Sequence, residues 1–181
     1  QRISFVLQSV VNIIELQKTQ LQKIDQLAKS RFIEMFGPYS QETTSAGSIM
    51  PYMRNGVSPS THGKFHEKVL TLSAITPGNF DEKAWKDGCF VDCPPAEKRI
   101  TASDFYMCRG NGNKTLVGVG VYSNEDHPDL VFPDTVIAAR IDKQKICLPY
   151  LAFAWKMPSV RSQIECSART TNGTYKINQQ S

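Results

Sequence analysis

Apolar positions at the start of the chain recur at alternating steps of three and four. Ile3, Leu7, Val10, Ile14, Leu21, Ile24 and Ala28 follow this rule, the period of an α-helix with one apolar seam. Written as heptads, Leu7, Ile14, Leu21, Ala28 and Met35 fall in one core row. Ile3, Val10 and Ile24 fall in the other, which Gln17 and Arg31 interrupt. No Pro or Gly occurs from Gln1 to Phe36, so the pattern predicts one helix roughly 54 Å long. A seam of that length needs cover, from the chain's own globular part or from another helix. It reads either as an ordinary long packed helix or as one arm of a coiled coil that sets a distance. Gly37-Pro38 should end it, Gly as a left-handed cap and Pro because it cannot continue the ladder. The domain boundary is placed there, with a spacer helix over 1–36 and a globular domain over 37–181.

Beyond the boundary the period changes. Residues 38–64 are rich in Ser, Thr, Gly and Pro and predict a long surface loop with short extended pieces. Val69–Thr76 alternates and is β-branched, so it predicts a strand. Residues 80–99 read as turn, short helix and loop. Asp104–Arg109 and Leu116–Tyr122 predict two strands joined across Gly110–Asn113, and Thr135–Ile141 a further one. Leu148–Lys156 and Ser159–Ala168 predict helices broken near Pro158. A turn at 170–173 and a short strand at 175–178 close the chain. Strands followed by helices and a last strand place the fold in the α+β class; no internal repeat is visible.

Composition narrows the function. At 181 residues and 40% apolar content the chain can bury a real core. No run is long enough to cross a bilayer, and the N-terminus lacks a signal-peptide pattern. The sequence starts at Gln and stops in mid-pattern, which reads as a piece of a longer protein. Five cysteines without a framework spacing fit a reduced, cytoplasmic setting. A formal charge of +4 permits nucleic-acid binding without demanding it.

A search for catalysis finds no complete motif. Asp92-Cys-Pro-Pro-Ala96 departs on both sides from the Asn/Asp-Pro-Pro-Tyr motif of amino-methyltransferases. Gly118 and Gly120 lie within a strand pattern, with no strand-to-helix turn to cradle a cofactor. Pro133-Asp134 could begin a nuclease motif, but Asp142 lacks the acid-x-Lys spacing. His62, His66 and His127 offer a Ser–His pairing, but no nucleophile elbow accompanies it. His62-x3-His66 with Cys89-x3-Cys93 could form a zinc site, although Gly63 and the wide Cys spacing argue for surface histidines and packed thiols. No cofactor is expected.

Three segments instead combine turn-forming glycines with donors suited to DNA. The first holds Arg54, Asn55, Ser58, Ser60, Thr61 and Lys64. The second holds Arg109, Asn111, Asn113 and Lys114. The third holds Arg169, Thr171 and Asn172, with Lys176 close behind. Arg reads guanine and Asn reads adenine in the major groove, while Ser, Thr and Lys suit phosphates. Each segment alone could equally be a polar turn, since Asn and Gly favour turns for backbone reasons.

Leu27-Ala-Lys-Ser-Arg-Phe-Ile-Glu-Met-Phe-Gly37 resembles the end of the central conserved helix in specificity subunits of type I restriction–modification systems. Val69–Thr76, Cys108-Arg-Gly-Asn-Gly-Asn113, Phe132-Pro-Asp-Thr-Val-Ile137 and Thr170–Asn178 resemble their target-recognition domains. The resemblance covers nearly the whole chain. It implies a non-catalytic subunit that reads one half of a split double-stranded DNA target. Methyltransferase subunits and restriction and translocation subunits would dock on it and carry the catalysis. It also implies that the long helix packs against a second helix of the complete subunit. Here that role falls to a second helix or to self-association through Leu7, Ile14, Leu21 and Ile24. Two other readings stay open: the recognition part of a fused methyltransferase–nuclease, and a coiled-coil interaction protein with no DNA role.

Overall fold

The structure is a computed structural model describing residues 2–37, 43–171 and 173–180, with Thr171 described by its backbone alone. It divides into two compact units, residues 1–44 and 45–181. The first is the helix α1 (Arg2–Phe36), 35 residues without an interruption. Ion pairs at helical spacing join Lys18 to Glu15, Lys29 to Asp25 and Arg31 to Glu34, at 3.1, 2.6 and 2.7 Å, each a small local contribution. Its seam residues Leu7, Ile14, Leu21 and Ile24 are 61, 44, 67 and 63% exposed. Gly37 differs from expectation: its N–H still donates to Ile33 in helical fashion, and its φ is not positive. Pro38, the second expected stop, lies outside the described residues.

The second unit is built on a four-stranded sheet of order β1 (Tyr52–Asn55), β9 (Val136–Arg140), β5 (Asp104–Cys108), β7 (Gly120–Tyr122), all neighbours antiparallel. Alternation along β5 and β9 sends side chains to two different cores. Phe105, Met107, Ile137 and Ala139 pack with Leu148, Leu151 and Ile164, which come from α3 (Leu148–Ala154) and α4 (Pro158–Ser167). Tyr106, Val136 and Ala138 pack with Leu70, Ile100, Leu130 and Phe132. That second core backs onto a sheet of order β3 (Trp85–Phe90), β2 (Phe65–Leu70), β8 (His127–Val131), β4 (Arg99–Ile100), in which β2 and β8 run parallel. The unit is therefore three layers, helices on sheet on sheet, and α+β as expected. A short helix α2 (Ala46–Ile49) precedes β1. A small third sheet has the order β10 (Arg169–Thr171), β11 (Thr174–Lys176), β6 (Gly110–Asn111).

Several elements depart from the sequence reading. The strand expected over 69–76 begins at Phe65 and ends at Leu70, and Leu72–Ala74 form a short 3-10 turn. β3 lies where turn, helix and loop were expected; its partner β2 supplies the pairing that its mixed sequence does not advertise. The strand expected from Leu116 begins only at Gly120. The cause is Gly118, whose φ of +68° turns the chain.

At the far end of the central sheet, Asp104 is fully buried. Its carboxylate accepts bonds from Arg54 Nη2 at 2.5 Å and Thr101 Oγ1 at 2.8 Å, and also from Arg140 Nε. Burial pushes this carboxyl up, but the bonds from Arg140, Arg54 and Thr101 outweigh it and hold it below its ordinary value.

Candidate nucleic-acid interface

Parts of the three donor-rich segments, around 55–57, 109–111 and 169–176, meet at one end of the central sheet, while Ser60 pairs with Cys89 of β3 and Lys64 leads into the start of β2. Gly56 N–H donates to Val136 O at 3.2 Å, and Val57 N–H to Phe132 O at 3.2 Å. On the other side of the turn at 132–135, Arg109 N–H donates to Thr135 O at 2.8 Å. Ile177 N–H then donates to Arg109 O at 3.0 Å. β11 and β6 pair Lys176 with Gly110 and Tyr175 with Asn111, and β10 places Arg169 opposite Lys176. A continuous run of main-chain bonds thus links the segments around 55, 110 and 170, far apart in sequence. Gly56 permits the closest of these approaches, because a Cβ there would lie 2.1 Å from the Phe132 carbonyl oxygen.

The individual side chains fall into three groups. Arg54 is a correction: it is only 4% exposed and is committed to Asp104 and, through Nε, to the Glu97 carbonyl at 2.6 Å. The rings of Tyr52 and Phe132 flank its guanidinium, each 5.5 Å away. Alternation in β1 turns it inward, so it is a core strut and leaves the candidate surface. Asn55, Ser60, Arg109, Asn111 and Asn113 are partly engaged. Asn55 Oδ1 accepts from Gln179 Nε2 at 3.4 Å and its carbonyl from Lys98 Nζ at 3.0 Å. Ser60 N–H donates to Cys89 O, and its hydroxyl closes a turn on His62. Arg109 Nη1 donates to Asp134 O at 3.1 Å, while its buried Nε has no hydrogen-bond partner among the described residues. Asn111 Oδ1 accepts from Asn113 N–H, and Asn113 Oδ1 accepts from Thr115 N–H and Oγ1. Ser58, Thr61, Lys64, Lys114 and Arg169 are exposed. Thr171 joins through its backbone to Thr174, and Asn172 lies outside the described residues.

The sequence reading missed Lys98 and Gln179, and it took Asp134 as a possible nuclease residue where its carbonyl instead holds Arg109. Each reaches the rim through a contact with a segment far along the chain, which no local pattern reveals. Exposed Ser58, Thr61, Lys64, Lys114, Arg169 and Lys176 provide cations and hydroxyls for phosphates. Half-buried Asn55, Arg109 and Asn111 provide planar groups on fixed backbone.

The remaining candidate chemistry does not assemble. His66 Nδ1 lies 3.5 Å from Cys89 Sγ across β2 and β3, but no cluster of three or more metal-ligating side chains occurs among the described residues. The Ser–His pairing is real at Ser123 and His127, with Oγ 3.0 Å from Nε2. It lines a cleft of about 640 Å³ with Phe80, Glu82 and Lys156, at the opposite end of β7. Ser123 donates its proton to the Glu125 carbonyl, and Glu82 approaches the same nitrogen of His127 at 3.8 Å. A triad needs the acid on the other nitrogen. Among the described residues no helix is long and apolar enough to cross a membrane.

No family model matches the chain. It is 32% identical over 133 residues to the type I restriction enzyme EcoKI specificity subunit of Escherichia coli strain K12. The match covers 70% of this chain and 27% of that protein, so the chain spans about a quarter of the relative's length. The long helix followed by an α+β unit fits the arrangement that the resemblance implies. Over the matched residues, the chain is similar to a type I restriction enzyme specificity subunit.

Proposed function

We propose that the chain is a DNA-reading part of a type I restriction–modification complex. The unit from residue 45 onward reads one half of a bipartite target in double-stranded DNA through the rim of the central sheet. α1 is the spacer, and its exposed seam receives a second helix. Methyltransferase subunits dock on the chain, restriction and translocation subunits join them, and those partners supply the catalysis. The setting is cytoplasmic. The observation that carries this reading is the joining of three separate donor-rich segments by main-chain bonds into one surface. A fixed backbone lets the side chains it carries act together on one duplex.

Within that surface, Asn55, Arg109 and Asn111 are the base-reading group. Ser58, Asn113, Lys114 and Arg169 are the backbone-positioning group; Ser60, Thr61, Lys64, Thr171 and Asn172 are assigned to phosphates by residue type. The test is selection from a randomised duplex pool at two salt concentrations, with the methyltransferase subunits present. A short enriched motif with affinity falling steeply with salt supports the reading. Absence of binding with the partner shown to be docked overturns it in favour of a helix-mediated interaction protein. Replacing Arg109 by Ala should cost about 1–3 kcal/mol and relax selection at one position. Unchanged selection would leave Arg109 a structural residue.

A further inference from the structure

Gly112 has no reason in the fold to be glycine. Of the eleven glycines, Gly47 and Gly112 alone combine an ordinary φ with open space: a Cβ at either would meet nothing within 4 Å. Every other glycine has a positive φ or a neighbour that a Cβ would touch. Gly47 lies in α2, where Lys145 Nζ holds the Ser48 carbonyl at 3.0 Å, by the end of β9 remote from the rim. Gly112 lies on the rim itself, exposed, between Asn111 and Asn113.

The turn around Gly112 is set without it. Asn111 Oδ1 takes the Asn113 N–H at 2.8 Å, and Asn113 Oδ1 takes the Thr115 N–H at 3.1 Å. Among the described residues no hydrogen bond engages the N–H or carbonyl of Gly112. Exposed Lys114 follows two positions later, and β6 and β11 bring Lys176 and Arg169 alongside. A bare main chain in a cationic surface is where an anionic strand can come closest. Main-chain N–H groups in such turns are donors for phosphate oxygens.

We propose that Gly112 is the contact point at which the DNA backbone closes onto the rim: a phosphate oxygen accepts its N–H, and the absent side chain leaves room for the strand. This rests on the DNA-reading role proposed above. The experiment compares the full chain, assembled with its methyltransferase subunits, as wild type, Gly112→Ala, Gly112→Val and Gly47→Ala. Each is titrated with the randomised duplex pool and with single-sequence duplexes, and its thermal midpoint is measured. Gly112→Ala should melt at or above the wild-type temperature. It should bind roughly tenfold more weakly to every duplex, with Gly112→Val weaker still and Gly47→Ala as wild type. Wild-type affinity in Gly112→Ala overturns the inference while leaving the DNA reading intact. A loss confined to duplexes differing at one base overturns the phosphate assignment. Failure of the wild type itself to bind DNA overturns both.

Discussion

Arg54 and Asp104 show how a residue's neighbours decide its role. In sequence, Arg54-Asn55-Gly56 has the look of an exposed donor turn. Its actual partner stands fifty positions away, and no local signal joins the two. Replacing Asp104 by Asn should destabilise the fold by about 3–5 kcal/mol, because Arg54 would keep a buried charge without its counter-ion; urea unfolding measures this. The same carboxyl predicts acid sensitivity. Its folded value lies below its ordinary one, so its contribution is complete above about pH 4 and is lost as pH falls through the folded value. An acid titration of stability should show that loss in the wild type and a shallower one in Asp104→Asn. The thiols give a second test at this scale. Burial pushes Cys108 up to about 11, whereas Cys93, Cys147 and Cys166 are exposed. Thiolate is the reactive form, so iodoacetamide at neutral pH should label those three and spare Cys108 until the chain unfolds. Mass spectrometry of the labelled peptides reads the outcome.

Among the elements, the long helix was legible from its hydrophobic period. The strands β5 and β9 were legible as short apolar runs, buried on both faces, and α3 and α4 as segments divided near Pro158. β3 was not legible, because Trp85-Lys-Asp-Gly-Cys-Phe90 has little alternation and gains its extended form from pairing with β2. The late start of β7 was hidden in Gly118, whose sign of φ no sequence reveals. Gly118→Ala tests that account. A Cβ there would lie 2.4 Å from Ile164 Cγ2 and force a left-handed Ala, at a cost of about 2–3 kcal/mol in chemical denaturation. α1 carries its own prediction. With Leu7, Ile14, Leu21 and Ile24 exposed, the chain should self-associate through this helix. Light scattering should show Leu21→Glu shifted toward monomer, and a wild type that stays monomeric at high concentration would remove the helix from the list of interaction surfaces.

At the scale of the molecule, the central sheet separates two kinds of chemistry. One end of its strands carries the buried Asp104 cluster and the cleft at Ser123 and His127. The other carries the cationic rim. The donor segments were visible in the sequence as turns, but their meeting was not, because it depends on strand order and on the turn at 132–135. Lys114→Ala separates charge from selection: it should weaken all duplexes alike and lower the slope of binding against salt by about one. A filter-binding series over salt measures that slope. The rim also bears on how such a surface can change over generations. Its shape is stitched by main-chain atoms, which every amino acid supplies, whereas Ser58, Lys114 and Arg169 reach into solvent. Substitutions there alter what is presented without altering what presents it. The preference of the molecule can therefore drift by single exchanges, each tolerated by the fold on the day it arises.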